Sequence, residues 1–109
     1  MSNTFHFPRA CRLIGKADFR SVFLDELLEQ ESKINLERYC EEGFPDPESI
    51  EFEVASVEPT AIGCTVTVTC QFDEAVATGC ADIQFNHPAA KELVFELEGG
   101  QGTAEVSYE

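Results

Sequence analysis

The sequence predicts an α+β fold, one or two N-terminal helices packed on a four- to five-stranded antiparallel meander sheet, on three observations. Apolar residues recur at spacings of three and four between Ala17 and Glu31, the period falls to two from Ile50 onward, and Gly or Pro separates the alternating runs. A helical period followed by a strand period in a chain this short reads as a helix layer laid on a sheet. At 109 residues there is room for one core, so the expectation is a single domain over 1–109. Within it lie a basic N-terminal segment at 1–16, a helical part at 17–42 and the sheet at 50–109.

Taken in chain order, Thr4 to Phe7 alternates weakly before Pro8 and is at best a short edge strand. Phe19, Val22, Phe23 and Leu27 form the stripe of an amphipathic helix over Ala17–Glu31, with Arg20, Asp25 and Glu29 opposite. Ser32 or Asn35 is placed to cap a shorter helix through Leu36, Tyr39 and Cys40, which Gly43, Pro45 and Pro47 terminate. Ile62, Cys64, Val66, Val68, Cys70 and Phe72 alternate without a break with Gly63, Thr65, Thr67, Thr69 and Gln71, the pattern of a central, half-buried strand. Shorter runs at 50–54, 81–85, 93–97 and 104–108 repeat the alternation.

Parity then sets the expected register, because a slip of one residue turns a whole apolar set to the wrong face. Phe72 against Gly79 would put Cys70 opposite Ala81, Val68 opposite Ile83 and Val66 opposite Phe85. A four-residue loop, Gly99 to Gly102, would set Leu97 against Ala104, Phe95 against Val106 and Leu93 against Tyr108. Parity gathers Glu51, Glu53, Asp82, Glu92, Glu96, Glu98, Glu105 and Glu109 on the outer face without a Lys or Arg among them, Glu96 directly opposite Glu105.

Charge follows the same division. The formal net charge is −14, yet residues 1–24 hold Arg9, Arg12, Lys16 and Arg20 against Asp18 alone, a net of +3. Residues 25–109 hold twenty acids against three bases, a net of −17. An apolar fraction of 43% weighs against reading that charge as disorder. No leader pattern and no run of eighteen apolar residues is present, so the expectation is a cytoplasmic protein with no membrane contact. Five cysteines without C-x-x-C spacing fit reduced thiols. Cys64 and Cys70, roughly 20 Å apart on one strand, cannot bridge each other. Cys80 is expected to point outward beside Gln71, and His87 to face Cys64, a pair of ligands too few for zinc.

Other chemistry is sparse. Asp46-Pro47-Glu48 and Asp73-Glu74 match no calcium loop, and Gly99-Gly100-Gln101-Gly102 sits within a hairpin rather than before a helix. Hydrolysis by paired carboxylates needs one acid in a cleft, whereas these project from an open face. No cofactor, metal or catalytic residue is expected. Phe7-Pro8-Arg9, Arg12-Leu13, Phe19 and Val22-Phe23 resemble the opening segment of the bacterial ribonuclease P protein subunit. That family is strongly basic and carries an Arg-Asn-Arg helix on its RNA-binding side. This chain has neither, so no functional residue carries over, and an acidic body repels phosphate.

Three functions compete at this point. The first is a small acidic binding or inhibitory module, immunity- or antitoxin-like or a nucleic-acid mimic, with a basic protein partner, no direct nucleic-acid contact, and Glu51, Glu53, Asp82, Glu92, Glu96 and Glu105 as its binding residues. The second is a ligand-binding or enzymatic domain with a pocket between helix and sheet, lined by Phe19, Phe23, Phe52, Phe72, Phe85 and Tyr108. The third is acid for solubility alone, which predicts an even spread that the basic N-terminus does not show.

Overall fold

The structure, a computed structural model, describes residues 4–40, 43–78 and 83–108. Its six antiparallel strands curl into a half-barrel: β1 (Thr4–His6), β2 (Phe44–Pro45), β3 (Glu51–Pro59), β4 (Gly63–Thr78), β5 (Ile83–Glu98) and β6 (Thr103–Tyr108). The order is β1-β6-β5-β4-β2, with β3 also paired to β4, so β3 to β6 form a meander while β1 closes on β6. Two helices interrupt the strands, α1 (Pro8–Cys11) and α2 (Phe19–Glu29). The second helix expected near Leu36 is instead a pair of 3-10 turns, Glu31–Lys33 and Leu36–Tyr39. Neither turn takes a side-chain cap, and the Asn35 main-chain N–H donates to the Tyr108 hydroxyl at 3.0 Å.

The strand count exceeds the expected four to five because the marginal segment at Thr4–His6 does pair, and so does Phe44–Pro45, expected only as a helix stop. Phe5 lies opposite Ala104, and Phe44 and Pro45 lie opposite Ala75 and Glu74. The basic N-terminal segment therefore supplies an edge strand, and its aromatic residues Phe5 and Phe7 are fully buried.

A larger difference concerns β4 and β5. The runs at 81–85 and 93–97 are not separate strands; the described part of the first, from Ile83, and all of the second belong to one sixteen-residue strand that pairs with β4 along its whole length. Val68 faces Leu93 rather than Ile83, Val66 faces Phe95 rather than Phe85, and Cys70 faces Lys91 rather than Ala81. Phe72 pairs with Ala89, and His87 lies opposite Glu74 instead of Cys64. The displacement from Ile83 to Leu93 is ten residues, an even number, so parity alone cannot detect the shift. This register sets Leu93, Phe95 and Leu97 between β4 and β6, where all three are buried.

The hairpin joining β5 to β6 has the expected pairing: Leu97 with Ala104, Phe95 with Val106, Leu93 with Tyr108 and Glu96 with Glu105. Its Gly102 adopts φ +66°, and an added Cβ there would lie 3.3 Å from the Pro8 backbone. Ile62, expected to begin the inner row of the central strand, is instead 64% exposed in the β3–β4 turn. That turn closes as the Thr60 N–H donates to the Gly63 carbonyl and the Gly63 N–H to Thr60 Oγ1.

The core sits in the concavity. Phe23 of α2 stacks on Phe7 at 4.5 Å, and Phe5, Phe7 and Phe23 all meet the Phe95 ring nearly perpendicularly, at 77–89°. Edge-to-face approaches satisfy the ring quadrupoles and add to area burial. Phe19, Leu27, Ile34 and Leu36 extend this cluster along the helical side, with Val66, Val68 and Cys70 beneath.

Candidate functional site

On the outer face the pairing brings carboxylates into rows that cross the sheet. Glu58 of β3, Thr65 of β4, Glu96 of β5, Glu105 of β6 and Thr4 of β1 follow one another across five strands. A second row runs Glu53, Thr69, Glu92, and a third runs Glu51, Gln71, Ala90. Neighbouring strands lie about 4.8 Å apart, so Glu96 and Glu105 are immediate neighbours, while Glu53 and Glu92 are separated by about twice that.

Of the residues expected to bind a partner, Glu51, Glu53, Glu92, Glu96 and Glu105 are all exposed on this face. Asp82 lies outside the described residues, as do Glu109 and Cys80. Glu98, partly exposed, pairs with Thr103 at one end of the face. Among the described residues no strand position on this face is Lys or Arg. Lys91, the single base between Tyr39 and Glu109, alternates to the other side, its Nζ 5.3 Å from the Tyr39 ring centroid. A shallow hollow of about 340 Å³ opens between Glu96, Glu98 and Glu105, bounded by Thr103, Gln101 and the exposed Ile62.

Two acids of consequence do not follow from simple alternation. Glu58 has the opposite parity to Glu51 and Glu53, yet it shares their face because a bulge between Val54 and Ser56 takes up one residue, Ala55. The signal was present: Phe52 and Val54 are two apart, but the next large apolar residue, Val57, comes three later. Glu26 falls within the apolar stripe of α2, seven residues after Phe19, and is 3% exposed. Its carboxylate accepts the main-chain N–H groups of Ala10 at 2.7 Å and Arg9 at 3.3 Å, and the Arg9 Nε lies 3.6 Å away. These are first-turn donors of α1 that Phe7 leaves uncapped, so this acid holds the N-terminal segment to the helix layer.

Like charges directly opposite across a sheet cost a few tenths of a kcal/mol. Glu105→Lys is therefore expected to raise the urea midpoint modestly at low salt, with the gain fading as salt is added. A midpoint that does not move would show that Glu96 and Glu105 splay apart without cost.

The four described thiols are poorly suited to chemistry. Burial pushes Cys64 and Cys70 up to about 11, aided by Cys11 in the first case and the Glu31 carboxylate in the second. Cys11 and Cys40 are also raised, first by burial and then by neighbouring acids, Glu26 for one and Glu74 and Glu37 for the other. A thiol raised above its ordinary value of 9.0 stays protonated in the fold when the unfolded chain has lost its proton. Its contribution to stability is thus complete below pH 9 and is lost as pH rises toward about 11. The urea midpoint is expected to fall across that window, and to fall less in Cys64→Ala/Cys70→Ala measured against its own value at neutral pH.

Among the described residues no group of three or more His, Cys, Asp or Glu is placed to hold a metal ion. None of the described helices is long and apolar enough to cross a membrane. Of the aromatic residues considered for a pocket, Phe19, Phe23 and Phe72 are buried in the core, Tyr108 packs at its margin, and the Phe85 side chain lies outside the description. Phe52 lines a cavity of about 450 Å³ beside α2. The chain matches no protein-family model, no curated protein and no solved structure.

Proposed function

We propose that this protein is a small acidic binding or inhibitory module, immunity- or antitoxin-like or a nucleic-acid mimic, that offers the outer face of its sheet to a basic protein. The observation that supports this reading is the row in which Glu58, Glu96 and Glu105 cross five strands with only threonine between and beside them. Successive carboxylates on one strand face repeat at about 6.7 Å and adjacent strands at about 4.8 Å, giving a two-dimensional grid of negative charge. Such a grid suits a protein surface built to neutralise a phosphate backbone, and it repels nucleic acid itself. The role is binding rather than catalysis, needs no cofactor, and belongs in the cytoplasm.

Recognition by charge implies fast, salt-sensitive association. Immobilised protein is expected to retain a basic partner from lysate at low salt and release it in a salt step. Glu96→Lys/Glu105→Lys should hold that partner at least about tenfold more weakly, since each fully opposed charge is worth more than 1 kcal/mol at an interface. If the double variant keeps the same partner with the same salt dependence, the face is not the site.

A further inference from the structure

The two edges of the half-barrel are finished differently. At β1 the free edge is sealed by side chains: the His6 N–H donates to Gln30 Oε1 at 2.8 Å, Gln30 Nε2 donates back to the His6 carbonyl at 2.6 Å, and Lys33 Nζ reaches the Thr4 carbonyl at 3.2 Å. Gln30, at the end of α2, thus imitates a neighbouring strand. At the opposite edge β3 pairs with β4 alone, and nothing among the described residues bonds the other side of its backbone.

The space beside that edge is shaped. The 450 Å³ cavity is lined by Leu24 and Leu28 of α2, by Ile50 and Phe52, and by Glu51 and Glu53 on the opposite face of the same stretch. It therefore runs around the edge, apolar on the helix side and acidic on the outer side. Leu28 is 52% exposed there, a large aliphatic side chain with no cover.

We infer that the free edge of β3 at residues 51–54 accepts an extended, basic segment of another protein as an added strand, its apolar side chains entering the α2–β3 cavity and its Lys or Arg side chains meeting Glu51 and Glu53. Strand addition supplies affinity through main-chain bonds and specificity through alternate side chains. The two faces of this edge dictate the alternation, apolar inward and cationic outward. A second copy of this chain is the wrong occupant, because pairing β3 with itself would set acid against acid in a molecule of net charge −14. The bulge at Ala55 bends the strand and confines the added strand to the stretch before it. This inference stands on a different feature from the outer-face row and holds whether or not that row binds anything.

The probe is an end-blocked peptide of alternating Val and Lys, with two further versions N-methylated at every Val or at every Lys. Alternate N–H groups of a strand point to one edge, so one methylated version should lose about tenfold in affinity and the other should not. Hydrogen exchange of the whole protein should slow at residues 51–54 when the parent peptide binds, and Leu28→Ser, at an exposed position, should weaken binding. Glu96→Lys/Glu105→Lys should leave both effects in place. The inference is overturned if the parent peptide does not bind at low salt, if neither methylated version differs from it, or if exchange at 51–54 is unchanged. Binding that ignores N-methylation but vanishes in the Glu96→Lys/Glu105→Lys variant would refute the edge and support the face.

Discussion

Phe95→Ala is expected to destabilise the fold by about 3–5 kcal/mol, a large share of the stability of a domain this size. The ring is fully buried and receives the edges or faces of Phe5, Phe7 and Phe23, which come from β1, the link to α1, and α2. Its removal opens a cavity where three parts of the chain meet, and rings locked against one another collapse poorly into it. Phe95→Leu retains more of the volume and should cost much less. Urea unfolding, with the slope checked for constancy, measures both. A loss near 1 kcal/mol for the alanine variant would mean that the N-terminal segment and α2 do not share a single core with the sheet.

The second large effect is expected at Glu26. Glu26→Ala leaves the Arg9 and Ala10 N–H groups without their acceptor, the first part-buried and the second buried, and each buried donor so orphaned costs about 1–3 kcal/mol. Glu26→Gln keeps an acceptor oxygen and should recover more than half of that loss. Arg9→Ala should be mild, because the Arg9 side chain is 56% exposed and its pairs with Glu26 and Glu29 are screened by solvent. The ordering Ala worst, Gln intermediate and Arg9→Ala least identifies main-chain capping as the role of Glu26. Equal losses for the Glu26→Ala and Arg9→Ala variants would assign the stability to the ion pair instead.

These two residues also show where the sequence was legible and where it was not. The alternation at 93–97 and 104–108, with the four-residue loop Gly99 to Gly102 between Glu98 and Thr103, predicts a hairpin that is observed rung for rung, including Glu96 against Glu105. The partner of β4 was harder, since both 81–85 and 93–97 present the correct face and any even displacement satisfies parity. What decides is packing that no single strand reveals: Phe95 serves β4, β6 and the aromatic rings of the N-terminal segment at once. Glu26 escaped notice because a carboxylate within an apolar stripe reads as a fault in the pattern until the α1 amides it satisfies are seen. Most of the acidic face was readable because strand period two ties position to face directly. The exception, Glu58, required knowing that Ala55 stands outside the count.

That extra residue has a consequence for how the chain can vary. Val54 pairs with Val68 and Ser56 with Thr67, so deletion of Ala55 would join two segments already in phase and leave every other side chain of β3 facing as before. Deleting a residue elsewhere in β3 would turn the shorter remnant over, or consume the bulge to prevent it. Ala55 is thus a slack position in an otherwise length-intolerant strand, and shortening of β3 by one residue has a single silent place to occur.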